Sequence, residues 1–368
     1  MQKLGILFFA DRLPPLIGGM EMHAKYFTEY FTTHSRFPIL SIITKNAEGQ
    51  DCIILNKETK PINLNKLDNV FNPVIIFFNS GRWIEDLKQL RNIFPKTKFI
   101  YRTGGNEILK ASLISGKMSE YIMRRSYWVD ILNDTVDLLI TNSTYTENRL
   151  SKIGIKCPFK RFVGGVNISA LKAARILDNK PFTIFCAARF VPYKNHSLMI
   201  SLVHELVLRG YSFKLRLAGE GSLLEQIKGL VDKNDLSSVV EFLGVLENEK
   251  ICEEIINADI YMQLSCDKVT EVPGGSYIHS EGMGRSILEA LTAGTFIIAG
   301  NSGALPEVIT ADRGLLVNFN DFQQIVNQVE QILKYPQVRK PLDDKFCWLK
   351  IFKGYEELFK DISNPIRV

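Results

Sequence analysis

The residues best equipped for chemistry lie together at Ser280–Gly294, which reads Ser-Glu-Gly-Met-Gly-Arg-Ser-Ile-Leu-Glu-Ala-Leu-Thr-Ala-Gly. Carboxylates are good acceptors for paired hydroxyls, such as those of a ribose. Glu281 and Glu289, with seven residues between them, supply two such acceptors. Glu281 falls in a loop and is expected on sugar hydroxyls. Glu289 falls farther along a helix and is expected on another part of the same ligand. Gly282 and Gly284 precede that helix, with Met283 between them. Glycines there let backbone N–H groups approach a ligand, and a helix start favours an anion. Either glutamate alone reads as a solvated helix charge, whereas the whole arrangement is far more specific than a lone Gly-x-Gly.

Arg189 and Lys194 stand in Ala187-Ala188-Arg189-Phe190-Val191-Pro192-Tyr193-Lys194-Asn195, after an expected strand and before an expected helix. Two cations at a strand's carboxyl end can hold a diphosphate and count most when negative charge builds on a departing phosphate. Two exposed loop charges are the competing reading. Gly18 and Gly19, in Leu16-Ile17-Gly18-Gly19-Met20-Glu21, suit backbone contact with a phosphate or sugar; an ordinary tight turn explains them as well. Gly219, in Leu217-Ala218-Gly219-Glu220-Gly221, sits in another strand–turn–helix, where structural turning is the simpler role.

The elements that must position these residues alternate. Leu4–Ala10, Pro38–Ile43, Val74–Asn79, Lys98–Tyr101 and Asp137–Thr141 read as strands, with helices at Met20–Thr33, Ile84–Ile93 and Lys110–Leu132. After a break at residues 166–182, read as the domain linker, strands recur at Thr183–Ala187, Lys214–Ala218, Val240–Phe242, Ile260–Leu264 and Thr295–Ala299. Helices accompany them at His196–Arg209, Leu223–Lys233, Lys250–Ile256 and Ser286–Ala293. Such alternation means α/β architecture with parallel sheets covered on both faces. Two Rossmann-like domains are expected, over residues 1–168 and 169–342, facing across a cleft at the carboxyl ends of their strands. Residues 343–368 hold a last amphipathic helix, Phe346–Ile362, with Trp348, Ile351, Phe352, Tyr355 and Phe359 at helical spacing.

Bulk properties narrow the partners. At 368 residues the chain is long enough for roughly two domains. No apolar run is long enough to span a bilayer, and the first ten residues read as a buried strand rather than a signal peptide, so a cytoplasmic protein is expected. Six scattered cysteines form no CxxC pair and read as reduced thiols. The net charge of +5 is unevenly placed: residues 1–168 carry 23 Lys and Arg against 15 Asp and Glu, and residues 169–368 carry 22 against 25. A basic first half suits an anionic membrane surface or a diphosphate-linked acceptor. Lys110, Lys117, Arg124 and Arg125 mark one candidate membrane face, against a core stripe with solvated charges. Nothing resembles a nucleic-acid-binding signature, so nucleic acid is not an expected partner.

The chain resembles the retaining glycosyltransferases of family four, which include bacterial polysaccharide and lipopolysaccharide sugar transferases. The likeness is strongest from Phe185 to Val317. Asn142-Ser143-Thr144-Tyr145-Thr146, Gly164-Gly165-Val166-Asn167, Gly303-Ala304-Leu305-Pro306-Glu307-Val308-Ile309 and Gly314-Leu315-Leu316-Val317 follow the family's pattern in order. The resemblance implies the GT-B fold, with the terminal helix crossing back to the first domain. It implies a nucleotide-sugar donor, a glycan or lipid-linked acceptor, no cofactor, no metal and retention of anomeric configuration. Arg189 and Lys194 would hold the donor diphosphate, Glu281 the donor sugar and Glu289 the ribose. Gly19 would lie against the phosphate, and Gly303 and Leu305 would bring backbone near the nucleotide.

Three departures stand out. Relatives often carry a His after the fourth strand of the first domain, where this chain reads Tyr101-Arg102-Thr103-Gly104-Gly105-Asn106-Glu107. Asn106 or Glu107 would serve the acceptor side there, or else simply cap a helix. A long loop at Cys266–Ser280 precedes Glu281 and brings His279 beside the motif, and Asn167 stands where Asp is common. Two rival readings share the fold: a nucleotide-sugar epimerase and a non-catalytic scaffold. A dehydrogenase is disfavoured, since no Gly-x-Gly-x-x-Gly follows the first strand.

Overall fold

The computed structural model describes residues 5–10, 13, 19–37, 39–45, 51–55, 58–61, 63–69, 71–79, 83–110, 118–171, 181–272, 275–335, 338–340 and 342–363. The chain divides into two compact units. Unit 1 comprises Met1–Gly164, Glu271–Tyr277 and Trp348–Val368; unit 2 comprises Gly165–Thr270 and Ile278–Cys347.

Unit 1 alternates β1 (Ile6–Ala10), α1 (Gly19–Thr33), β2 (Ile39–Lys45), β3 (Asp51–Leu55), β4 (Glu58–Pro61), β5 (Ile75–Asn79), α2 (Leu87–Ile93), β6 (Lys98–Arg102), α3 (Asn106–Lys110), α4 (Met118–Thr135), β7 (Leu138–Thr141), α5 (Thr144–Lys152) and β8 (Phe159–Arg161). The sheet order is β4-β3-β2-β1-β5-β6-β7-β8. All pairings are parallel except those of β3, which runs antiparallel to both β2 and β4. β1 and β5 are buried along their whole length, as a sheet covered on both faces requires. Period-two alternation sends Phe8 and Phe77 to one face and Phe9 and Phe78 to the other.

Unit 2 carries β9 (Thr183–Ala187), α6 (His196–Leu208), β10 (Lys214–Ala218), α7 (Leu224–Lys233), β11 (Val240–Gly244), α8 (Asn248–Asn257), β12 (Ile260–Gln263), α9 (Arg285–Ala293), β15 (Phe296–Gly300), β16 (Gly314–Val317) and α10 (Phe322–Lys334), and the strands β13 (Lys268–Val272) and β14 (Gly275–His279) are divided between the units, Glu271–Tyr277 belonging to unit 1. The unit 2 sheet runs β11-β10-β9-β12-β15-β16, and β13 and β14 pair only with each other. The chain then returns to unit 1 as α11 (Trp348–Ser363). There Trp348, Phe352, Tyr355 and Phe359 join Phe8, Phe27, Phe31 and Phe77 in one buried cluster.

Both units show the expected strand–helix alternation, to which β3, β4, β8, β16, α5 and α10 are additions, and three expected segments take another form. The second helix begins at Leu87 rather than Ile84. The single helix expected over Lys110–Leu132 is instead α3 and α4, with residues 111–117 outside the described residues. The side chains of Lys110, Lys117, Arg124 and Arg125 also lie outside them. The loop expected before Glu281 contains the paired strands β13 and β14. Of the expected linker, residues 172–180 lie outside the described residues.

Because α11 completes the unit 1 core, Phe352→Ala should cost about 3–5 kcal/mol. Phe352 has no exposed surface and its ring meets Phe27 at 5.6 Å and Trp348 at 5.1 Å. Urea unfolding followed by tryptophan fluorescence reads this unit, since Trp83, Trp128 and Trp348 all belong to it. A midpoint equal to the parent's would refute the placement of α11.

Candidate functional site

In an open α/β sheet the chain leaves the first strand toward one side and later returns on the other, opening a crevice at the strands' carboxyl ends. In unit 2 that switch lies between β9 and β12. These two strands pair only at Ile260↔Ile184 and Tyr261↔Phe185, whereas β9 pairs with β10 through Ala187. Polar side chains fill the gap. The Tyr261 hydroxyl donates to Ala187 O at 3.2 Å and meets the Ser286 hydroxyl at 2.6 Å.

Lys194 and Glu281 meet at this switch. Lys194 ends a single turn, Pro192–Lys194, and Asn195 adopts a left-handed conformation (φ 56°) that lets α6 start at once. The Lys194 Nζ and Glu281 Oε2 form a buried ion pair, each residue 9% exposed. Gln263 Nε2 and Ser265 Oγ donate to the same oxygen at 2.9 and 3.2 Å. Burial pulls the Lys194 pKa down, but the Glu281 carboxylate outweighs it and the net shift is upward. Burial pushes Glu281 up, but the Lys194 charge and donors from Ser265 and Gly284 carry it below its ordinary value. Both groups are therefore ionised at neutral pH.

Arg189 is exposed, and its Nη2 donates to the Tyr193 hydroxyl at 3.4 Å. His279 stacks on the Tyr193 ring at 4.0 Å. The helix start at Gly284 has φ 70°, and a Cβ there would press on Ile287 and Leu305, so Leu305, itself fully buried, packs beneath the glycine loop. Gly282 is partly exposed and Met283 buried. Gly303 (φ 59°) lies so close that a Cβ would fall 2.2 Å from Glu281 O, and Ala304 N donates to that carbonyl at 2.9 Å. The Gly303–Leu305 turn thus clamps the backbone that carries Glu281. Gly219 (φ 135°) abuts Ala188 O, where a Cβ would fall at 2.2 Å; its need for glycine is steric.

Glu289 is 2% exposed on α9. Its Oε1 accepts from Asn248 Nδ2 at 2.8 Å and faces Arg285 Nε at 3.4 Å. Burial raises its pKa more than Arg285 and Asn248 lower it. Both protein donors address one oxygen, and the other accepts no hydrogen bond among the described residues.

The structure therefore brings Lys194 and Glu281 into direct contact and places Arg189, Gly282, Met283, Gly284, Gly303 and Leu305 on the surrounding turns of unit 2. Gly19 opens α1 in unit 1, where an added Cβ meets no atom within 4 Å, and Gly18 lies outside the described residues. Asn106 and Glu107 begin α3 in unit 1, and the Glu107 Oε1 accepts from Gly104 N at 3.3 Å and from the Thr103 hydroxyl. That carboxylate is spent on the helix start. Asn167 Oδ1 accepts from Ser169 N at 3.2 Å, a turn that Asp makes equally well. Sequence reasoning missed Gln263, Ser265 and Asn248, which hold the two glutamates. A polar Gln at the end of an otherwise apolar strand was the available signal.

Comparison with known proteins bears on the fold and on the second half of the chain. Residues 167–345, just under half of the chain, match the family model described as glycosyl transferases group 1. The fold is GT-B. Among curated relatives, a GDP-mannose-dependent monoacylated alpha-(1-6)-phosphatidylinositol monomannoside mannosyltransferase of Corynebacterium glutamicum is 27% identical over 65% of this chain and 62% of its own length. A GDP-mannose-dependent alpha-(1-6)-phosphatidylinositol monomannoside mannosyltransferase of Mycobacterium tuberculosis is 21% identical over 89% of each chain. Among solved structures, a glycosyltransferase from Rickettsia africae superposes with TM-score 0.71 at 16% identity, over 99% of this chain and all of that one. HepE of Anabaena, in complex with UDP and glucose, gives 0.69 at 15%, over 97% of this chain and all of that one.

The site also carries a pH-sensitive neighbour. His196, stacked on Phe190 at 4.2 Å, has its pKa lowered to about 4, first by burial and then by the Lys194 charge. The unfolded chain binds this proton below about pH 6.5, and the folded chain does not until about pH 4. Stability is therefore lost as pH falls through this window, by roughly 3 kcal/mol at its lower end. His196→Phe should keep the stack and flatten that part of the pH–stability curve; parallel curves for parent and variant would refute the assignment.

Proposed function

We propose that this protein is a retaining transferase that takes a sugar from a nucleoside diphosphate sugar held on unit 2. The acceptor is a cell-surface glycan or a lipid-linked precursor at the inner face of the cytoplasmic membrane. The observation that carries this reading is the ionised Lys194–Glu281 pair at the β9/β12 switch, followed along the chain by the helix that carries Glu289. Lys194 and Arg189 balance the diphosphate, and most strongly when the bond from anomeric carbon to phosphate oxygen breaks. Glu281, fixed by Gln263, Ser265 and Lys194, accepts from hydroxyls of the donor sugar. Glu289, fixed through one oxygen, offers the other to a ribose hydroxyl. Gly282, Met283, Gly284, Gly303 and Leu305 shape the backbone around the donor. The acceptor oxygen bonds the anomeric carbon on the face the phosphate leaves, and the acceptor's proton passes to the departing phosphate oxygen. Two fixed cations do the work at the phosphates, so the reading needs neither metal nor cofactor. Among the described residues no helix is long and apolar enough to cross a membrane, so membrane contact in this reading is peripheral.

Binding and hydrolysis should be measured across GDP-, UDP- and ADP-sugars, with GDP-mannose first because curated relatives are named for it. Glu289→Ala and Lys194→Ala should each weaken the preferred donor roughly ten- to a hundred-fold. Binding that ignores both substitutions would sink the transferase reading in favour of a scaffold, and turnover of donor into an epimer without acceptor would favour the epimerase.

A further inference from the structure

Unit 1 has its own switch, between β1 and β5. Ala10 pairs with Asn79 there, and Arg102 ends the next strand, one position beyond the Phe78↔Tyr101 pair. Ile6, Phe8, Ile75, Phe77 and Ile100 face α1 and α11, so alternation puts Ala10, Asn79 and Arg102 on that same face. The last rung of an apolar face is thus polar and cationic.

Arg102 is 7% exposed. Its Nη1 donates to Asn79 Oδ1 at 3.2 Å and to Met20 Sδ at 3.0 Å, and the Tyr355 hydroxyl also bonds the guanidinium. Every one of these partners is neutral, and among the described residues no carboxylate pairs with Arg102. A guanidinium has five N–H donors, so donors remain over. Beside it lies His23, 1% exposed, whose two ring nitrogens find no partner of hydrogen-bond geometry among the described residues, although the Asn79 amide is near enough to bear on the ring. A buried cation without a counter-charge is costly, and the first 168 residues are the basic part of the chain.

The geometry points to an anion site in unit 1: Arg102, with Asn79 and His23 beside it, receives a phosphate group. A planar guanidinium matches phosphate oxygens two at a time. Assigning that phosphate to the sugar acceptor rests on the transferase reading; the anion site itself does not.

Equilibrium dialysis of the full chain against labelled inorganic phosphate tests this, at constant ionic strength and without nucleotide. A phosphate site should survive Lys194→Met, which disables unit 2, and vanish in Arg102→Met. Arg102→Lys keeps the charge but not the fork and should bind about ten-fold more weakly. Asn79→Asp guards against misfolding, because it gives Arg102 an internal carboxylate; it should raise the melting temperature and abolish phosphate binding. Glycerol phosphate and phosphatidylinositol vesicles, run in parallel, separate a soluble from a lipid-borne ester; a gain over inorganic phosphate supports the site when Arg102→Met removes it. No phosphate bound once Lys194 is replaced, or binding that persists in Arg102→Met or Asn79→Asp, overturns the proposal. Since no donor is present, these outcomes are independent of the nucleotide-sugar panel.

Discussion

A lysine ammonium cannot be buried alone, and the neighbourhood of Lys194 is organised by that requirement. Its counter-ion, Glu281, comes from a segment far along the chain, and it arrives only because β9 and β12 part at their carboxyl ends. Tyr261, Gln263, Ser265 and Ser286 line the opening and spend their hydrogen bonds on one another, on Ala187 or on Glu281. The Gly303 turn holds the same loop from behind. Pair, gap and clamp form one unit: the pair needs the gap, and the gap would collapse without polar groups to fill it.

The same topology treats charge differently in the two units. At the unit 2 switch the cation is matched from within, and a ligand must compete for or share that partner. At the unit 1 switch the described partners of Arg102 are an amide, a thioether and a phenol, none of which carries charge. A preformed neutral pair favours a ligand that brings both anionic and hydroxyl groups. An unmatched cation favours one that brings charge alone.

Much of this was legible in the chain, for reasons that differ by element. Fully buried parallel strands such as Ile6–Ala10 and Ile297-rich Phe296–Gly300 are apolar throughout and announce themselves. The short edge strands β4 and β8 did not, because Glu58–Pro61 and Phe159–Arg161 are largely polar and carry no core signal. Nor did α5: Thr144–Lys152 is a polar sequence held by its Ser143 cap, whose side chain accepts from Thr146 N. At the site, charges following strands were readable as donor-binding candidates. Asn248 was not, since it reaches Glu289 from another helix, and neither was Arg102, whose interest lies in having only neutral partners among the described residues, which three-dimensional neighbours alone reveal.

The return of α11 to unit 1 has a consequence for synthesis. Domains of a growing chain usually fold in the order they emerge from the ribosome. Here unit 2 is complete once Cys347 has been made, while unit 1 still lacks Trp348, Phe352, Tyr355 and Phe359. The part translated first is therefore the part finished last. Until α11 emerges, the aromatic face formed by Phe8, Phe27, Phe31 and Phe77 lacks its cover, so a nascent chain stalled before residue 348 would present a ready surface to chaperones or to other stalled chains.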